Sequence, residues 1–191
     1  MILRLILIGC LGFPFNLWAN PGHEGSSFKA SARMQSVIKA HTQRITKLAA
    51  EPILVEAVQA QNAKKVPLAD IKALDARWVN GDEDEFALSL QQTAAGRFLT
   101  SKVDNSLIYT EAFLCDIQGA VVAEFPMTTD YWQGDEAKFT EALHQARGSA
   151  YVGPVEWDES TDEVAVQISV PVLSKGEVIG VLVVGLRNIE H

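Results

Sequence analysis

The sequence predicts an α+β fold: a helical first half, then an antiparallel sheet of about five strands. Two observations carry this. Up to about residue 104 apolar residues recur every three to four positions, the period of a helix. Beyond it they alternate, or run on unbroken between turn signals, as strands do. A length of 191 residues suits one full domain. Residues 20–104 are therefore read as its helical part and residues 105–191 as its sheet.

The first helix is expected over residues 28–50, with Phe28, Met34, Val37, Ile38, Ile45 and Leu48 along one stripe, a cap at Ser26 or Ser27, and Pro52 marking its end. A second runs from about Ile53 to Ala63. The third, LADIKALDARWVNG, puts Ile71, Leu74 and Trp78 on one face and stops at Asn80-Gly81. DEDEFALSLQQTAAGRFLTSKV then continues with helical periodicity, capped by Asp82 with Glu85 three residues on, and interrupted near Gly96.

The strands come next in order. LIYTEAFLCD and AVVAEFP are joined around DIQG, whose Asp and Gly supply the turn. After them Gly134, Asp135 and Glu136 precede AKFTEALHQARG, a helix with acids at its N-terminus and Gly148 at its end. AYVGPVEWD is extended. VAVQISVPV alternates, with Val164, Val166, Ile168 and Val170 on one side and Ala165, Gln167 and Ser169 on the other. VIGVLVVGL is apolar on both faces and belongs centrally in the sheet.

Ahead of the domain, MILRLILIGCLGFPFNLWAN carries Arg4 and then no charge as far as Ala19. That run is shorter than the roughly 20 apolar residues of a spanning helix. It reads as a secretory signal peptide, residues 1–19, cleaved after Ala19, which places the mature domain in the periplasm. LIGC also resembles a lipoprotein processing site with Cys10 lipidated, a reading that the short apolar run before it disfavours. Cleavage leaves Cys115 as the lone cysteine, so the fold rests on its core and not on disulfides.

A formal net charge of -8, with no Lys/Arg cluster, argues against nucleic acid and anionic membranes as partners. His23, His41, His144 and His191 make no zinc pattern, and GDEDE lacks the alternating ligands of a calcium loop. No nucleophile elbow, dinucleotide fingerprint or phosphate loop is present. Nothing asks for an enzyme, a cofactor or a metal. What stands out is TTDYWQGDEAKF, residues 128–139, and Trp157-Asp158-Glu159-Ser160 at a strand end. Aromatic faces with carboxylates suit a cationic head. The same residues also suit a capped helix start with core or rim aromatics.

In their order, EAFLCDIQGAVVAEFPMTTDYWQGDEAKF, VEWDES and VQISVPVLSKGEVIGVLVVGL resemble the Cache family of extracytoplasmic sensor domains over residues 107–187. The resemblance implies a PAS-like sheet with a ligand cavity between it and the segment after strand two. It implies a lining of Tyr131, Trp132 and Asp135, with Asp158 and Ser160 from the strand end. Asp130 joins them, and Phe113 and Phe125 come from the hairpin. A small ligand such as an amino acid or amine is expected. A divalent cation on Asp130, Asp135 and Asp158 is a narrower alternative. Such domains usually sit between two membrane helices, and the chain ends at His191 without a second apolar segment. The expected partner is therefore a separate membrane receptor or histidine kinase. The other reading is a ligand-free interaction protein that docks, or forms a homodimer, through helix 28–50.

Overall fold

The structure is a computed structural model and describes residues 29–144, 149–158 and 161–189. Residues 1–19, Cys10, the caps Ser26 and Ser27, Phe28, Gly148 and Ser160 lie outside the described residues. Helices come first: α1 (Ala32–Ala49), α2 (Pro52–Ala63), α3 (Leu68–Val79), α4 (Asp84–Gln91) and α5 (Ala94–Asp104). The second half holds β1 (Tyr109–Asp116), β2 (Val121–Phe125), α6 (Ala137–His144), β3 (Tyr151–Asp158), β4 (Glu163–Ser174) and β5 (Glu177–Arg187). The fold is α+β, as the two periodicities predict.

Helix boundaries differ from the expected ones for local reasons. The first helix begins at Ala32, not Phe28, because Ser31 supplies the cap, its hydroxyl accepting from the Met34 N–H. Pro52 does not merely end α1; it opens α2, where its missing N–H costs nothing. Asp82 does not cap α4. Glu83 holds that position without a side-chain cap bond, and its carboxylate takes the Arg77 guanidinium at 2.5 Å. The break between α4 and α5 falls at Gln92–Thr93, ahead of Gly96. Thr93 starts a new helix by accepting from the Gly96 N–H at 2.9 Å.

All neighbouring strands are antiparallel, in the order β2-β1-β5-β4-β3. β5 is central, as its apolar run requires, and every residue from Gly180 to Leu186 is buried. Helices α1, α2 and α5 cover one face, where Met34, Ile45, Leu54 and Leu99 pack with Leu114, Ile168, Leu182 and Val184. The other face carries a second core in which Phe113, Cys115, Val181 and Val183 meet Trp78 of α3, Leu90 of α4 and Phe139 of α6.

The β1–β2 turn sets the path of the loop between β2 and α6. Asp116 Oδ1 accepts from the N–H groups of Gln118 and Ala120, at 2.8 and 3.0 Å, and Gly119 adopts φ +89°. A Cβ on Gly119 would lie 2.5 Å from the Gly134 nitrogen. The turn therefore requires glycine twice over, for its dihedral and for the backbone passing above it. Gly119→Ala is expected to lower stability by about 1–3 kcal/mol, read by urea denaturation with an unchanged m-value.

Candidate functional site

Between the second sheet face and the segment Thr128–Lys138 lies a cavity of about 370 Å³. The size is that of a small-molecule site. Phe113, Ala165 and Gln167 line it from the sheet, Tyr151, Glu156 and Asp158 from β3, and Asp130, Gln133, Glu136 and Lys138 from the segment and the start of α6.

Its most ordered polar feature is a row crossing the sheet. Glu111 on β1 is 2% exposed and pairs in register with Gly185 of β5, which pairs in turn with Gln167 of β4. A Cβ on Gly185 would stand 2.7 Å from Glu111 Cγ and 2.5 Å from Thr110 Oγ1. Glycine there leaves the central strand bare, and the Glu111 side chain lies across it. Gln167 Nε2 donates to Glu111 Oε1 at 2.7 Å and reaches Asp158 Oδ2 at 3.5 Å. Glu111 and Asp158 also share a side-chain hydrogen bond. Burial first, and then the charge of Asp158, push the Glu111 carboxyl up to about 7.

The segment itself is held from behind. Asp75 Oδ1 on α3 accepts from the N–H groups of Tyr131 and Trp132, each at 2.9 Å. Trp78 Nε1 donates to the Thr128 carbonyl at 2.9 Å. Thr128 in turn donates through N–H and hydroxyl to Glu124 Oε2, at 3.0 and 2.9 Å. On the cavity side, Gln133 Nε2 donates to the Asp130 carbonyl at 3.0 Å and to its Oδ1 at 2.7 Å.

The predicted site residues divide accordingly. Phe113, Asp130 and Asp158 line the cavity together. Tyr131, Trp132, Asp135 and Phe125 are not among its lining residues. The Tyr131 ring is buried against Trp78 and Phe86, at centroid distances of 5.6 and 5.7 Å. Trp132 folds over Gly134, donates to the Gln118 carbonyl at 2.8 Å and carries Lys72 Nζ 4.0 Å from its ring centroid. Asp135 is exposed at the approach to α6, the place its helix-start reading gives it. Phe125 packs into the core on the opposite sheet face. Among the described residues no three His, Cys, Asp or Glu converge as metal ligands, so the cation alternative on Asp130, Asp135 and Asp158 finds no cluster. Glu111, Gln133 and Gln167 were not anticipated. For Glu111 the signal was a polar residue on the strand face of Phe113 and Cys115.

No protein-family model matches the chain, and no curated protein does. Solved structures do. The chain is similar to sensor and ligand-binding domains of histidine kinases and chemoreceptors. The sensor domain of the V. cholerae histidine kinase DctB is 19% identical, with 81% of this chain and 52% of that one covered at a TM-score of 0.43. The sensory domain of the Campylobacter jejuni chemoreceptor Tlp3 is 16% identical, covering 80% and 63% at a TM-score of 0.40. The ligand-binding domain of the Pseudomonas fluorescens chemoreceptor CtaA, solved with L-serine, is 15% identical over 80% and 60% at a TM-score of 0.36. The chain spans little more than half the length of the first of these.

Glu124 offers a test independent of any ligand. Burial pushes its carboxyl up from 4.5 to about 7, and the Thr128 bonds only partly oppose this. The folded chain thus keeps a proton that the unfolded chain has released. Its contribution is fully present below about pH 4.5 and is lost as pH rises through 7. Glu124→Gln is expected to remove up to about 3 kcal/mol of that decline between pH 5 and 8, measured by denaturant melts across the range.

Proposed function

We propose that this chain is a periplasmic, non-enzymatic sensor domain that binds a small metabolite and acts through a separate membrane partner such as a receptor or histidine kinase. The observation that carries this reading is the partly open cavity with both polar and apolar lining, floored by the sheet and roofed by Thr128–Lys138. The ordered motifs that resemble Cache domains run through the same elements. The ligand class is an amino acid, an amine or a similar metabolite. Asp130 and Asp158, with Phe113 beneath, are the proposed contacts from the sequence, joined by Glu111, Gln133 and Gln167. Tyr131 and Trp132 then serve as the anchors of the roof, and Asp135 as a helix-start acid. The signal peptide 1–19 belongs to the same proposal, and the exported protein is expected to begin at Asn20 by intact mass.

The docking alternative loses its main support. Met34 and Ile45 of α1 are fully buried, and Val37, Ile38 and Leu48 pack against the domain's own core. None of the exposed large hydrophobics among the described residues belongs to α1.

A thermal-shift screen of the purified protein with amino acids, amines and carboxylates tests the reading. A true ligand raises the melting temperature with concentration beyond its Kd. Ala137 is exposed and lines the cavity, so Ala137→Phe is expected to leave the unliganded melting temperature within about 1 °C and abolish the shift. Saturating binding that survives this plug would place the ligand elsewhere.

A further inference from the structure

The hydrogen-bonding groups around the cavity are unequally divided. Among the described residues, five carboxylate side chains line it, those of Glu111, Asp130, Glu136, Glu156 and Asp158, against one cationic side chain, Lys138. Several of the neutral donors are already engaged. The Gln167 amide faces Glu111 and Asp158, and the Gln133 amide and the Thr129 hydroxyl face Asp130. Acceptors, by contrast, remain. Gln133 is 1% exposed and lines the cavity, yet its Oε1 has no hydrogen-bond partner among the described residues. A buried acceptor left in this way favours a ligand that brings donors. Among the described residues, a ligand carboxylate would meet this surface with Lys138 as its one charged donor.

We propose that the Glu111–Gln167–Asp158 row is the subsite for the ammonium head of an amine ligand, and that the head enters in exchange for a proton. The proposal rests on the small-molecule reading above and names its ligand class. Glu111 is buried beside Asp158, so its carboxyl holds a proton more readily than an exposed one. An ammonium group supplies the positive charge in its place, Glu111 becomes a carboxylate, and the proton leaves to solvent. The direction of the Glu111 titration agrees, with burial and Asp158 both holding the proton on. The charged groups facing the row are Glu156 on β3, Asp130 and Glu136 on the roof, and Lys138 on α6, which opposes proton retention. Gly185 keeps the row in line by leaving space for the Glu111 side chain.

Calorimetric titration of the full chain tests this with four probes: the primary amine ethanolamine, the diamine putrescine, the zwitterion L-alanine and the dicarboxylate succinate. An amine is expected to bind, with affinity rising up to about tenfold per pH unit between pH 5.5 and 7 and levelling off above it. Buffers of different ionisation enthalpy should report one proton released per ligand. Glu111→Gln should flatten the pH profile and weaken the amine at least tenfold. Asp158→Asn provides the same readout if the first variant does not fold. Binding of succinate in preference to the amines, pH-independent amine binding, or full amine affinity in both variants overturns the proposal while leaving the small-molecule reading standing. Silence from all four probes and from the wider screen overturns both.

Discussion

A sheet whose central strand is apolar on both faces must be covered twice. From Gly180 to Leu186 no residue of β5 meets solvent, so each side of the sheet needs its own layer. Helices α1, α2 and α5 complete the first side. The second is covered only in part, by α3, α4, α6 and the roof segment, around Phe113, Cys115, Val181 and Val183. Further along the same strands the inward residues change to Glu111, Gly185, Gln167 and Ala165. The cavity lies where the apolar layer ends and the strands carry hydrogen-bonding groups instead. Its position is set by where β1 and β4 switch chemistry.

That division explains the two roles within one short stretch of chain. Between Thr128 and Gln133 the residues facing back are aromatic, and those facing the cavity are polar. Tyr131 sits in a cage with Trp78 and Phe86, and Trp132 lies over Gly134. Their burial secures the loop, whose backbone N–H groups find Asp75, and lets Asp130 and Gln133 be presented in a fixed geometry. Conspicuous aromatics therefore serve as anchors, while their less conspicuous neighbours face the open space.

The strands were legible in the sequence because turn residues set off runs that either alternate, as in VAVQISVPV, or stay apolar throughout, as in VIGVLVVGL. The central place of VIGVLVVGL came from burial on both faces alone. Helix ends were less legible, since Ser31, Pro52 and Thr93 each act through a cap or first-turn role that competes with equally plausible neighbours. Of the residues the resemblance implies, Phe113, Asp130 and Asp158 line the cavity. Tyr131, Trp132 and Asp135 come from the same resemblance, but which way each residue of a loop turns depends on partners distant in sequence, Asp75 and Trp78 above all. Glu111 and Gln167 were hidden because their pairing passes over an intervening strand, and no local pattern encodes a contact of that kind.

The walls of the cavity differ in stiffness. On the roof side, Gly119 and Gly134 stack backbone against backbone, and the Gln133 N–H donates to the Gly119 carbonyl at 2.8 Å. The hairpin turn and the loop therefore form a single mechanical piece clamped to α3. The facing wall is β3, an edge strand hydrogen-bonded along one side only, with a register shift between Val152 and Val155. A load applied inside the cavity is thus borne unequally. The roof passes it to α3 through the bonds of Asp75 and Trp78, whereas β3 is held by β4 alone, in a register that is irregular at Gly153–Pro154.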